Sequence, residues 1–375
     1  MTQYDLIVIG CGGIGSATLF SAATAGLKTL CLEQYVPGHI HGGTHGETRA
    51  FRKAYYEHPS YIPLLQSAYS SWKKLSANAE QPLFVENGIV EIADSHHKVL
   101  SSATTSAQQY QLPCERLTAG QISQRFPGFR VTESMAGVFQ PEAGFLYVDK
   151  SMRFFVKEAL RHGATINSQE KVMDIVVEPD KSVKVITQKS TYYTESLIIT
   201  VGAWTTELLS SLSLPIQVVQ KKLVWFPVEK STYEFERASP CFAYHLNEGL
   251  FYGFPSIDGQ IKVARHSGGL LLSHPSASTD DASNEEAVAI EQFAQSYLLN
   301  VNGSQVLQKS CLYDSTSDNQ FIIDLHPQHS QIAFAAGLSG HAYKMSNVLG
   351  DVLVDLVTKG STQFDISFLS LDRFR

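Results

Sequence analysis

Gly10-Cys11-Gly12-Gly13-Ile14-Gly15 is the stretch on which the fold of this chain turns. Before it, Tyr4–Ile9 is short, apolar and rich in β-branched residues. After it, Gly12–Ala25 carries small and apolar residues at helical spacing and stops at Gly26. Thr29–Leu32 is apolar again, and Glu33 follows. Strand, glycine turn, helix and second strand make a βαβ unit, which implies a parallel sheet with helices on its faces. The glycines fit G-x-G-x-x-G. Gly10 allows the tight turn, Gly12 lets the backbone approach a pyrophosphate, and Gly15 lets the helix pack closely on the strand; Gly13, between them, is counted with the cofactor-binding residues. The helix N-terminus then faces the phosphates. Glu33 ends the second strand, where an acidic residue binds ribose hydroxyls, and its charge argues against a 2′-phosphate. A glycine turn without a ligand is the plain alternative, and the strand, the helix and Glu33 together outweigh it.

The 375 residues are 43% hydrophobic and 17% charged, long enough for two domains with sizeable cores. The net charge of −7 leaves no electrostatic footprint for nucleic acid or an anionic membrane. No apolar run approaches the roughly 18–20 residues of a membrane span. Leu6–Ile9 has no basic segment before it and runs straight into glycines, so it reads as a buried strand and not as a signal peptide. A cytoplasmic protein is expected. Cys11, Cys31, Cys114, Cys241 and Cys311 are odd in number and scattered, with no Cys-x-x-Cys pair. That argues against a zinc site or a disulfide framework, and no metal is expected.

Further along, a glycine- and histidine-rich loop covers Pro37–Thr48, and Tyr61–Leu75 reads as an amphipathic helix. Residues 83–147 show a short, mixed pattern with strands hinted at Val85–Ile92 and Met135–Gln140. Lys150–His162 and Glu285–Leu299 read as helices. Lys171–Val177, Ser182–Thr187 and Ser196–Val201 read as strands, and strands dominate Gln217–Ala264. Ile332–Lys359 reads strand, glycine-rich turn, helix. Nucleotide-fold features thus stand at both ends and near residue 200. The fold expected is α/β (mixed α+β): a Rossmann-like domain from 1–80, 147–216 and 320–375, interleaved with a sheet-rich substrate domain from 81–146 and 217–319.

The glycine motif alone does not separate FAD from NAD. Thr200-Val201-Gly202-Ala203-Trp204, after the apolar Leu197–Ile199, is similar to the second flavin-side signature of glutathione-reductase-like FAD proteins. The block from Cys311-Leu312-Tyr313-Asp314 to Phe321-Ile322-Ile323-Asp324, followed by Gly337-Leu338-Ser339-Gly340-His341-Ala342-Tyr343-Lys344, resembles the monomeric sarcosine oxidase / N-methyltryptophan oxidase family. Within it, the N-methyltryptophan-oxidising members are nearest. The resemblance spans almost the whole chain, through His45-Gly46-Glu47-Thr48-Arg49, Tyr252-Gly253-Phe254-Pro255 and Lys262 with His266.

The family implies a two-domain monomer with covalent FAD that oxidises N-methyl amino acids with O2. Residue by residue, Cys311 matches the cysteine that forms a thioether to the flavin 8α-methyl. Attachment needs the thiolate, which is scarce below a thiol pKa of about 8.5 without positive charge nearby; Arg49 matches a residue close to the flavin ring and supplies that charge. Lys262 matches the lysine that activates oxygen, a preorganised cation where superoxide charge develops. Its plain alternative is a solvated strand lysine. Arg52 and Lys344 match the pair that holds the substrate carboxylate through charge-assisted bonds. Tyr252 and His266 match polar groups of the active site, and His45 lies near the flavin. Thr48, Gly202, Gly337 and Gly340 fall in cofactor-binding stretches. Arg49 and Arg52 share a face if their segment is helical and point oppositely if it is extended.

Four positions depart from the family. Cys11 stands where serine or alanine is common, Lys53 where histidine is usual, and Ala342-Tyr343 where glycine-phenylalanine is usual. The activity implied is demethylation of an N-methyl-L-tryptophan-like substrate to amino acid, formaldehyde and hydrogen peroxide. Trp225, Phe226, Tyr244, Phe251 and Tyr252 could line a large pocket, or at strand spacing could be core. Sarcosine, a fructosyl-amine or pipecolate are alternative substrates. A non-catalytic module that senses NAD is the alternative of a different class; it has no need for Cys311, Lys262 and Lys344 together.

Overall fold

The computed structural model describes residues 3–235, 239–280, 284–301 and 307–375. Residues 236–238 of the strand-rich stretch Gln217–Ala264 lie outside the described residues. Strand Gln3–Ile9 forms the middle of the first sheet. Thr29–Leu32 runs parallel on one side and Thr191–Ile199 on the other. Thr165–Asn167 extends the sheet beyond Thr29–Leu32. The far edge of Thr191–Ile199 is shared: antiparallel Val183–Thr187 takes its first half and parallel His329–Ala336 its second. Leu6, Ile7, Val8 and Ile9 are all buried, as expected of a central parallel strand covered on both faces. Leu6 and Val8 face helices Gly13–Thr24, Tyr61–Asn78, Val148–Arg161 and Ser346–Lys359, while Ile7 and Ile9 face the opposite core with Leu209, Leu214 and Leu371.

The first helix is made of small residues because two neighbours press on it. A Cβ at Gly15 would stand 1.8 Å from the Gly10 carbonyl oxygen, and one at Gly350 would stand 2.8 Å from the Ala17 backbone.

The second sheet runs in the order Leu307–Thr316, Ile216–Pro227, Gln260–Arg265, Gly249–Gly253, Cys241–Leu246, Ile89–Asp94, Met135–Gln140, Glu115–Thr118. Its two faces are sorted by alternation. Val224, Phe226, Phe242, Tyr244, Phe251 and Val263 face helix Asn284–Tyr297 and pack on Ile290, Phe293 and Ala294. Phe226, Tyr244 and Phe251 are therefore core, whereas Trp225 and Tyr252 belong to the other face. A small third sheet, Thr48–Phe51 with Gly144–Tyr147 and Phe84–Val85, lies between the two large ones in sequence.

Helices Lys98–Gln109 and Ala119–Arg125 lie where the sequence showed only a short, mixed pattern. The first is mostly Ser, Thr, Gln and Ala with just Val99, Leu100, Ala103 and Ala107 buried, so its apolar stripe is thin. Capping defines both: the His97 side chain accepts from the Val99 N–H, and Thr118 with Gln121 makes a capping box.

Gly15→Ala forces backbone apart and is expected to lose about 3 kcal/mol or more of stability. Gly120→Ala, in open space within Ala119–Arg125, is expected to gain roughly 0.5–1 kcal/mol. Urea denaturation of the two variants checks both signs.

Candidate functional site

The turn Gly10–Ile14, the end of the second strand and the Thr200–Trp204 turn enclose a cavity of about 490 Å³. Gly10, Gly12, Gly13, Glu33, Gly202 and Gly340 line it, together with Arg49 and Tyr313. Gly10 has φ +91°, and a Cβ there would stand 2.6 Å from the Thr200 carbonyl oxygen, so the turn needs glycine. The Glu33 carboxylate accepts the Cys11 N–H at 2.7 Å and the Tyr35 N–H at 2.8 Å. Burial pushes this carboxyl up, but His39 and the two N–H groups outweigh it and hold it below its ordinary value. Gly15 does not line the cavity; it sets the helix against the strand. Gly337 is also off the lining: its φ of +60° serves a turn packed on Thr316. Thr48 contributes a carbonyl and is likewise not among the lining residues.

Cys311, Lys262 and Tyr252 share one face of the second sheet. Lys221 is opposite Cys311, Leu223 is opposite Ala264, and Trp225 is opposite Lys262. Tyr252 is opposite both Ala264 and Ala243, and Ala243 is beside Glu91. Paired residues point to the same side of a sheet, so Cys311, Lys221, Lys262, Tyr252 and Glu91 share one face, on which Lys262 and Glu91 meet the first domain's crossing segment. Lys262 is buried, not a solvated strand lysine. Its Nζ donates to the Gly46 carbonyl at 2.6 Å and the Thr48 carbonyl at 2.8 Å, over the Phe254 ring. Burial, and then Arg49, push its pKa well down, while Glu47 and Cys311 oppose them.

Thr48–Phe51 is extended, so Arg49 and Arg52 diverge. Arg49 lines the cavity and donates to the Thr48 and Gly43 carbonyls. Arg52 is bidentate on Glu57 at 2.5 and 3.2 Å, has Nε 3.0 Å from Glu91, and stacks on Tyr55 and Tyr56. Lys344 Nζ donates to the His341 carbonyl at 2.5 Å and approaches the Tyr55 hydroxyl at 3.3 Å. Tyr55 thus touches both cations. Burial, then Arg52, bring Lys344 down to about 7, against the pull of Glu57 and Glu91. Burial raises Glu91 to about 7 despite Arg52.

His45 and His266 are both lowered to about 3 by burial, with Arg49 next for His45 and Lys221 next for His266. Both are neutral imidazoles in the neutral range. His266 Nδ1 lies 3.5 Å from the Tyr313 hydroxyl. Neither ring nitrogen of His45 has a hydrogen-bond partner among the described residues. Tyr55, Glu57, Glu91 and Tyr313 complete the site and were missed from sequence. Glu91 carried a usable signal, a lone acid in the apolar strand run Ile89-Val90-Glu91-Ile92-Ala93.

A dinucleotide cradle thus lies beside a face that carries buried cations, and comparison with known proteins gives the class. The profile of the FAD dependent oxidoreductase family matches residues 5–356. Monomeric sarcosine oxidase from Bacillus sp. (strain B-0618) is 32% identical over 377 residues, covering 99% of this chain and 96% of that protein. N-methyl-L-tryptophan oxidase from Citrobacter koseri is 33% identical over 378 residues, covering 99% of each. Among solved structures, NikD, an unusual amino acid oxidase essential for nikkomycin biosynthesis, aligns with a TM-score of 0.87 and 25% identity over 99% of this chain and 98% of its own. The chain belongs to the FAD dependent oxidoreductases, in the family of monomeric sarcosine oxidase and N-methyl-L-tryptophan oxidase. The glycine turn, in which backbone closes the Cβ positions of Gly10 and Gly15, the helix N-terminus and Glu33 fit the FAD that this family uses.

The raised pKa of Glu91 has a stability consequence. Between about pH 4.5 and 7 the folded protein holds a proton that the unfolded chain has lost, so stability falls as pH rises through that window. Glu91→Gln removes the effect. Its stability relative to the parent is expected to rise by up to about 3 kcal/mol between about pH 5 and pH 8. Denaturant unfolding at both pH values checks this, and a difference independent of pH counts against it.

Proposed function

We propose that this chain oxidatively demethylates an N-methyl amino acid of the N-methyl-L-tryptophan kind, giving the primary amino acid, formaldehyde and hydrogen peroxide. The observation that carries the proposal is the convergence of Arg52 and Lys344 on Tyr55, two buried cations suited to one carboxylate. The names of the relatives support the amine substrate; their identities of 32% and 33% do not choose between sarcosine and N-methyl-L-tryptophan. Trp225 donates its indole N–H to Glu47 and lies under Lys262, so it belongs to the oxygen side and leaves Tyr252 as the aromatic candidate for the substrate side.

Residues 1–80, 147–216 and 320–375 hold FAD, and 81–146 with 217–319 supply the substrate side. FAD, when bound, supplies the acceptor for the electron pair that leaves the N-methyl carbon. The substrate carboxylate replaces Glu57, the more exposed of the two partners, on the outer edge of Arg52, while Glu91 keeps Nε. Lys344 closes the other side, and His266 adds polarity without charge. Positioning both ends of the substrate is where the protein contributes most. Lys262, fixed by two carbonyls, is the cation beside which oxygen takes up electrons. Cys311 attaches the flavin covalently, and the protein works as a cytoplasmic monomer.

Arg52→Ala or Lys344→Ala removes a charge-assisted bond of ~1.5–3 kcal/mol, so KM for the amino acid should rise roughly tenfold to a hundredfold. An ester of the same substrate should lose that sensitivity; equal damage for acid and ester would overturn the carboxylate assignment. Acid precipitation tests attachment at Cys311. Flavin absorbance is expected in the pellet, and it should move to the supernatant in Cys311→Ala.

A further inference from the structure

Lys221 is an ionisable residue on the site face that no step above uses. It is 1% exposed, in the middle of strand Ile216–Pro227, directly across from Cys311. Directly opposed residues of an antiparallel pair have Cβ atoms about 4.5–5.5 Å apart on the same face. Lys221 does not hang free there. Its Nζ donates to the Ser267 carbonyl at 2.9 Å and to the Glu286 carboxylate, whose second oxygen accepts the Lys222 N–H at 3.0 Å. Gly269, with φ +108°, lets the backbone close over the Lys221 stem. A buried ion pair of this kind is a weak source of stability, because desolvation of both charges offsets their attraction. Its position beside a cysteine gives it another use.

We propose that Lys221 is a positioning cation for Cys311: clamped by Glu286 and Ser267, it draws the thiol toward the thiolate that couples to the flavin 8α carbon. This rests on the covalent attachment proposed above. Joining sulfur to the 8α carbon breaks one S–H and one C–H bond and forms one C–S bond. The electron pair is left on the ring system, and O2 takes it up with two protons as hydrogen peroxide. The thiol needs help, because burial raises its pKa. Arg49, Lys221 and Lys262 pull it back, in that order, and Glu286 opposes them. The groups facing Cys311 are thus Arg49 from Thr48–Phe51, Lys262 from Gln260–Arg265, Tyr252 from Gly249–Gly253, Glu286 from Asn284–Tyr297, and Tyr313 on its own strand. Arg49 also serves the cavity, whereas Lys221 is held away from it, which fits a role in attachment and not in turnover.

The test follows covalent flavin, not activity. The full-length chain is prepared free of flavin, FAD and air are added, and attachment is timed by protein mass and by flavin fluorescence in denaturing gels. At about pH 7.5 the parent should attach flavin, and Lys221→Met should do so roughly tenfold more slowly, the thiolate lost with one pKa unit. Toward about pH 9.5 the gap between Lys221→Met and the parent should narrow, because burial lowers the pKa of the lysine itself against the pull of Glu286, and rising pH removes the charge that the variant lacks. Lys221→Arg, which keeps the charge, should stay near the parent at about pH 7.5. Equal rates for Lys221→Met and the parent at pH 7.5 would overturn the proposal. Slow attachment in both variants at both pH values would also overturn it, in favour of a packing role. A parent chain that binds FAD but never attaches it would refute Cys311 itself as the attachment site, and this assignment with it.

Discussion

Lys262 and the two carbonyls it holds tie the halves of the molecule together. Its strand belongs to the second sheet, whereas Gly46 and Thr48 belong to the segment that leaves the nucleotide fold and crosses that sheet. A buried ammonium without acceptors would be costly, so the crossing segment is fixed where its carbonyls can serve. Glu47 takes the left-handed conformation between them, with φ +67°, and its carboxylate reaches the Trp225 indole. Once the segment is anchored, Thr48–Phe51 continues as a strand and sends Arg49 to the cavity and Arg52 to Glu57 and Glu91. The two arginines owe their separate surroundings to that one attachment.

Charge balance governs the rest of the site. Arg52 has Glu57 and Glu91, and Lys221 has Glu286. Lys344 has only carbonyl and hydroxyl partners among the described residues, and burial brings its pKa down to about 7, so that it is about half protonated at that pH. The buried histidines stay uncharged and add dipoles without adding to the positive field. A carboxylate arriving here meets one firm cation and one that its own charge would help to hold protonated. That arrangement favours an anionic end group on the substrate without storing much unpaired charge beforehand.

Much of this was legible in the sequence, for physical reasons that differ by region. The glycine turn and Glu33 could be read because only glycine tolerates the Gly10 conformation and the 1.8 Å approach at Gly15. The site face could be read in part, because Arg49, Arg52, Lys262, Cys311 and Lys344 are costly residues to bury and sit in recognisable blocks. The aromatic residues could not be sorted: Trp225 and Phe226 are neighbours, yet only pairing register shows that one faces Lys262 and the other the core. Helix Lys98–Gln109 was hidden because its stability comes from a cap and four buried side chains, not from a broad apolar stripe. Glu57 and Tyr55 were invisible because their importance comes from touching Arg52, a contact that spacing alone does not announce.

Lys262 also offers the most direct measurement, since one residue is asked to serve oxygen while it holds the fold together. Lys262→Met keeps much of the stem and removes the charge. Stopped-flow absorbance separates flavin reduction by substrate without air from reoxidation of the reduced flavin by O2. The account predicts that reoxidation slows by orders of magnitude while reduction changes little, because only the oxygen step develops negative charge beside this cation. Equal slowing of both steps would show Lys262 to be a structural clamp alone, and reoxidation at the parent rate would contradict the oxygen site outright.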